Sequence, residues 1–146
     1  MRYIEADTPE LTQDDFTRLH RLQINAYASE AALIGFPPPP MTETLQELIA
    51  ADLRWLVAVD AEYAGAIGYT DDTLCIDVDR LFVEPRNRRQ GVASTMLQKL
   101  LAHGRPIAVM TPETNEPARL LYESLGFAPI GRDRDPRVTM VRYCHR

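Results

Sequence analysis

Between Trp55 and Val83 the chain lays down apolar runs separated by turns too short to hold a helix. Trp55-Leu56-Val57-Ala58-Val59 is followed by Asp60-Ala61-Glu62, and Ala64-Gly65-Ala66-Ile67-Gly68-Tyr69 by Asp71-Asp72. Leu74 to Val83 completes the series. Branched and aromatic side chains suit a pleated surface, and such short polar connections return the chain on itself. The stretch reads as an antiparallel meander of three strands.

The flanks supply the cover that such strands need. Tyr3 to Ala6 can form a short first strand. Thr12 precedes a run in which Phe16, Leu19, His20, Leu22, Gln23 and Ala26 recur at helical spacing, with Thr12 as the expected N-cap. Pro37 to Pro40 cannot continue a helix, because each proline lacks an N–H and restricts its predecessor, so a stiff loop is expected there. Thr42 with Glu43, Leu45, Leu48 and Ile49 then marks a second helix to about Asp52.

Beyond the meander, Val92, Met96, Leu97, Leu100 and Leu101 form an apolar stripe on a helix from Gly91 to about His103, ended by Gly104. Pro106–Met110 reads as a buried strand, and Glu116 to Leu125 as a helix closing at Gly126. Phe127–Ile130 and Arg137–Tyr143 finish as strands. The order β-α-α-β-β-β-α-β-α-β-β predicts an α/β (α+β) fold occupying residues 1–146 as a single domain. Its mixed central sheet of about six to seven strands is flanked by helices on both faces, giving three layers.

Composition narrows the function. A net charge of −5 argues against a nucleic-acid partner. No apolar run approaches the roughly 20 residues needed to cross a bilayer, so no membrane partner is expected. The Met1–Glu5 segment lacks a signal-peptide pattern, and Cys75 and Cys144 form no CxxC pair, so a cytoplasmic, reduced protein is expected. His20, His103 and His145 show no ligand spacing, and no metal is expected. The charge is uneven, however: Arg80, Arg86, Arg88 and Arg89 fall close together, as do Arg132, Arg134, Arg137, Arg142 and Arg146. Such clusters mark either an anionic ligand or a solvated positive face.

The first cluster borders the segment Leu81 to Ser94, which runs strand, loop, helix start. A helix N-terminus presents unpaired N–H groups and a partial positive charge, and so attracts anions. Gly91 and Ala93 let a bulky anion approach the backbone, while the arginines and Ser94 can add donors. These are the properties needed to hold a pyrophosphate. No Gly-Lys-Ser/Thr follows, so this is no Walker loop, and only Gly91 fills a glycine position of the dinucleotide fingerprint.

Arg88-Arg89-Gln90-Gly91-Val92-Ala93 resembles the (Gln/Arg)-x-x-Gly-x-(Gly/Ala) signature of the GNAT superfamily of N-acetyltransferases, after a strand ending in Leu-x-Val-x-Pro. Asn115 to Phe127 resembles that family's second signature, Asn-x-x-Ala-x-x-x-Tyr-x-x-x-Gly-Phe. The order of elements matches the family fold along nearly the whole chain. The resemblance implies acetyl-CoA as cosubstrate, with its pyrophosphate on the backbone amides of Gln90, Gly91, Val92, Ala93 and Ser94, assisted by Arg88 and Arg89. It implies that the strand backbone at Leu81, Phe82 and Val83 pairs with the pantetheine, and that the Val83 N–H polarises the acyl oxygen. Asn115 is expected to contact pantetheine, to cap its helix, or both. Tyr122 is expected to protonate the departing thiolate as general acid, the other reading being a tyrosine that packs and positions CoA.

Asp79 is the candidate base. Asp77 is weaker, and spacing two places both on one strand face with Leu81 and Val83 following; the alternative is a solvated acidic face. Glu113 is a further candidate. Tyr27, Phe36 and Trp55 are expected either to line the acceptor pocket or to enter the core. The acidic strand face and tight proline loop favour a small cationic amine, such as a polyamine, aminoglycoside or amino acid derivative. A peptide N-terminus or lysine side chain is the alternative. Relatives that dimerise through C-terminal strands make a homodimer an open expectation. A catalytically silent CoA-binding or protein-interaction module on the same fold is the competing reading.

Overall fold

The computed structural model describes residues 1–146. Seven strands form one sheet in the order β1-β2-β3-β4-β5-β7-β6. They are β1 (Arg2–Asp7), β2 (Arg54–Asp60), β3 (Glu62–Asp71), β4 (Ile76–Val83), β5 (Ile107–Pro112), β6 (Ala128–Arg134) and β7 (Thr139–His145). The expected meander is β2-β3-β4, and every pairing is antiparallel except β4 with β5.

The helices are α1 (Gln13–Ile34), α2 (Pro39–Thr42), α3 (Leu45–Ala50), α4 (Val92–Leu101) and α5 (Glu116–Ser124). α1 and α3 bury Phe16, Leu19, Leu22, Ala26, Tyr27 and Leu48 against Trp55, Val57, Val59, Ala66 and Phe82. α4 and α5 bury Val92, Met96, Leu97, Leu100 and Tyr122 on the opposite face, against Leu56, Ala58 and Ile67 among others. Thus successive residues of β2 serve opposite cores, which explains why that strand is apolar throughout rather than alternating.

Local chemistry moves several boundaries. Pro39 and Pro40 open a one-turn helix instead of a loop, because the first turn needs no N–H donor from them. The second expected helix is capped by Thr44, not begun at Thr42: Thr44 Oγ1 accepts from the Glu47 N–H (3.1 Å) while Glu47 Oε1 accepts from the Thr44 N–H (3.0 Å). β4 starts at Ile76 rather than Leu74, since Asp72 Oδ1 takes the Leu74 and Cys75 N–H groups (2.7 and 2.9 Å) into a turn.

One irregularity changes the reading of β4. Gly68 pairs with Arg80 but Tyr69 pairs with Val78, leaving Asp79 as the extra residue of a bulge. Before it, Ile76 and Val78 face the α4–α5 core; after it, Arg80 and Phe82 face α1, and Leu81 and Val83 turn to α4. Asp77 and Asp79 therefore do not continue on the face of Leu81 and Val83, as uninterrupted spacing of two had implied. The same place ends the pairing with β5, which is confined to Ile76–Ile107, Asp77–Ala108 and Val78–Val109. Beyond Val78 and Val109 the two strands part.

Candidate active site

Where β4 and β5 part, a cleft of about 230 Å³ opens, with Val78 and Val109 near its apex and α1 and α5 along its sides. Its β4 wall is an open strand edge. The Glu84 N–H donates to Ala64 on β3 (2.8 Å), so by alternation the N–H and C=O groups of Leu81 and Val83 point the other way, into the cleft. The Leu81 carbonyl accepts a long bond from the Tyr27 hydroxyl (3.4 Å). Phe82, expected to pair through its backbone, instead turns its N–H and C=O to β3 by the same alternation, and its ring is buried 5.7 Å from Tyr27 and 6.3 Å from Trp55.

At one end of the cleft stands the N-terminus of α4. The first helical bond runs from the Thr95 N–H to the Gly91 carbonyl (2.9 Å), and no side chain caps the helix. The N–H groups of Val92, Ala93 and Ser94 therefore lack protein acceptors, which is the arrangement that binds anions. Gly91 sits at φ 75°, a left-handed conformation, and a Cβ there would meet nothing within 4 Å. Its requirement is thus backbone conformation first, open space second. Arg89 precedes it, also left-handed at φ 64°, and is exposed with Gln90.

Arg88 borders the cleft. Its guanidinium donates to Ser29 Oγ (2.7 Å) and the Ala26 carbonyl (3.1 Å), which bolts the loop to α1.

α5 contributes Asn115 and Tyr122. Asn115 is buried; its Oδ1 accepts from the Ala118 N–H (3.3 Å), capping the helix, while its side-chain amide has no protein acceptor and borders the cleft. Tyr122 is 4% exposed, with ring centroids of Phe127 and Tyr143 each 5.7 Å away. Its hydroxyl has no protein partner, and the residue lines the cleft. Burial, then the nearby Glu30 carboxylate and Tyr143, hold its pKa well above the ordinary phenol value, so the proton stays on at neutral pH.

A wider, more polar cavity of about 640 Å³ adjoins the cleft through Tyr27, Pro38, Asp79, Arg80, Met110 and Pro112. Its remaining wall includes Glu43, Glu47, Asp135, Phe36 and Arg137, so four carboxylates face two guanidiniums. Arg80 is buried in the wall that the two spaces share. Arg80 donates to Glu43 Oε1 (2.5 Å), Gln23 Oε1 (3.0 Å) and Asp79 Oδ2 (2.7 Å). Gln23 passes its own N–H groups to the Pro40 carbonyl (2.8 Å) and Glu43 Oε1 (3.0 Å). This network ties the proline segment to β4. Sequence reasoning placed Arg80 in a basic cluster and gave Gln23 and Glu43 no functional role; their partners lie too far along the chain for local pattern to reveal.

Tyr27 and Phe36 line the cavity, and Arg137 stacks on Phe36 with its guanidinium carbon 4.6 Å from the ring centroid. Trp55 is fully buried and lines neither space. Asp77 and Glu113 also line neither; Glu113 instead pairs with Arg132 at 3.8 Å. No group of three or more His, Cys, Asp or Glu side chains is arranged to hold a metal ion. No helix is long and apolar enough to cross a membrane.

The comparisons with known proteins agree with this geometry. The acetyltransferase (GNAT) family model matches residues 16–127. The ribosomal-protein-S18-alanine N-acetyltransferase of Escherichia coli superposes with a TM-score of 0.77 at 16% identity, covering 98% of this chain and 92% of that one. PaiA N-acetyltransferase of Thermoplasma acidophilum, in complex with coenzyme A, gives 0.74 at 15% identity, covering 97% and 98%. An aminoglycoside 6′-N-acetyltransferase complexed with coenzyme A gives 0.72 at 16%, covering 99% and 96%. No curated protein matches by sequence. With the family model spanning most of its length and the cleft built on the two motifs it contains, this chain belongs to the GNAT family of acetyltransferases.

Proposed function

We propose that the protein transfers an acetyl group from acetyl-CoA to the nitrogen of a small cationic amine, with Tyr122 as general acid. The observation that carries this reading is the pairing of an uncapped α4 N-terminus with a partnerless, protonated Tyr122 hydroxyl along one open strand edge. The unpaired N–H groups of Val92, Ala93 and Ser94, with those around Gln90 and Gly91, suit the pyrophosphate. The cleft-facing groups of Leu81 and Val83 suit the amides of an extended pantetheine, which would replace the Tyr27–Leu81 bond. Asn115 offers its free side-chain amide to the same arm. Arg89, exposed and without a protein partner, remains available as a countercharge, whereas Arg88 serves by holding the loop to α1.

Acetyl transfer by direct attack needs the thioester and the amine side by side. The thioester would lie along the open β4 edge, its carbonyl oxygen on the Val83 N–H, which stabilises the charge that develops there. The amine would arrive through the adjoining cavity, where Glu43, Glu47, Asp79 and Asp135 outnumber Arg80 and Arg137 and favour a cation. Collapse of the tetrahedral adduct breaks the C–S bond, and the thiolate takes the Tyr122 proton.

Replacing Tyr122 by Phe removes the proton and keeps the ring. The expected result is a loss of kcat of about a hundredfold or more, with acetyl-CoA binding unchanged. A Tyr122→Phe enzyme with wild-type turnover across the pH range would refute the general-acid role.

A further inference from the structure

One ionisable side chain of the cleft belongs to α1. Glu30 lies on α1, between Tyr27 one turn before and Ile34 one turn after, and all three border the cleft. α1 is pinned across the opening at two points. Tyr27 bonds the Leu81 carbonyl on β4, and the Ile34 carbonyl accepts from Thr114 Oγ1 (3.0 Å) just before α5. Glu30 is thus held over the gap between β4 and α5.

Its carboxylate makes no hydrogen bond and no salt bridge, unlike Asp79, whose Oδ2 is taken by Arg80. The nearest cation along the wall is Arg88, and its guanidinium is spent on Ser29 and Ala26. A half-buried carboxylate without a partner is costly to keep ionised, and folds seldom retain one beside a ligand cleft without use.

Resting on the acetyltransferase reading above, we infer that Glu30 is the proton acceptor for the attacking amine. Glu30 takes one proton from the substrate ammonium, and the freed nitrogen lone pair forms the N–C bond to the thioester carbon. The C–S bond breaks, the thiolate takes the Tyr122 proton, and the second nitrogen proton returns to the tyrosinate. Glu30 then releases its proton to solvent.

Electrostatics favour the role. Burial raises the Glu30 pKa above the ordinary carboxylate value, with Arg88 opposing, and a raised value makes a better proton acceptor near neutrality. The other titratable or charged groups facing this space are Tyr27 on α1, Asp79 and Arg80 on β4, and Tyr122 on α5. Since the ionised form is the active one, turnover falls as pH drops through the raised pKa and is sustained above it.

The experiment measures CoA release against pH with whichever of spermidine, kanamycin or lysine methyl ester turns over fastest, for wild type, Glu30→Gln, Glu30→Asp and Asp79→Asn. Glu30→Gln should lose about a hundredfold or more in kcat and lose the acid limb of the profile, while binding acetyl-CoA within about threefold of wild type by calorimetry. Glu30→Asp should keep the limb at reduced rate, and Asp79→Asn should keep it too. A Glu30→Gln profile with the wild-type limb, or the limb's disappearance in Asp79→Asn alone, would overturn the assignment. So would loss of acetyl-CoA binding in Glu30→Gln. Wild type that released no CoA with any of the amines would sink the acetyltransferase reading itself, and this proposal with it.

Discussion

The two ends of the cleft are built from different materials. The α4 end is made of backbone: unpaired N–H groups behind a left-handed glycine, and a strand edge exposed by the parting of β4 from β5. The end that opens into the adjoining cavity is made of side chains, with buried Arg80 gripping Glu43, Gln23 and Asp79 from three separate elements or connections. Backbone recognition suits a cosubstrate of fixed shape, because it needs no particular side chain and costs little reorganisation. A charged side-chain pocket can be retuned by substitution without disturbing the fold, which suits the amine-selecting role proposed for it.

The contrast extends to helix ends. α1, α3 and α5 are closed by Thr12, Thr44 and Asn115, each accepting a first-turn N–H. α4 has a glycine in that position and no side-chain cap. A cap contributes about 1 kcal/mol, so leaving α4 open forgoes stability at a helix end that borders the cleft.

If the ends are as separate as this, damage should stay local. The largest effect is expected from Arg80→Met, which strands Glu43 against a buried aliphatic chain. Unfolding in denaturant should show a loss of about 3–5 kcal/mol, as for other broken buried pairs. The folded fraction should still bind acetyl-CoA as wild type does, and weakened cosubstrate binding would break the separation. A smaller effect follows for Phe36→Ala, which removes the platform under Arg137. Losing a contact worth about 0.5–1 kcal/mol should raise the KM of the amine a few-fold and leave that of acetyl-CoA alone. An unchanged amine KM would mean that the Phe36–Arg137 wall does not meet the acceptor.

The same division decides what the sequence could reveal. The meander, the α4 stripe and the α5 motif are local patterns, so their elements and Gly91, Asn115 and Tyr122 were readable within short windows. Boundaries slipped where one side chain redirected the backbone, as Thr44 does for α3 and Asp72 for β4. The bulge at Asp79 follows from strand pairing, which no single strand encodes, and it undid the argument from spacing of two. Arg80 meets Glu43 across 37 positions and Gln23 across 57, and Glu30 reaches the cleft only because α1 is pinned over it. Those contacts come from tertiary packing alone.

The most direct test of the central claim is a calorimetric titration of acetyl-CoA into wild type and into Gly91→Glu. That substitution puts a side chain at φ 75° and a negative charge beside the unpaired N–H groups of α4. Wild type should bind saturably at one site, and the variant about a hundredfold more weakly, a difference of about 2.7 kcal/mol. Equal affinity in a folded Gly91→Glu protein, or no binding by wild type, would contradict an anion site at the start of α4.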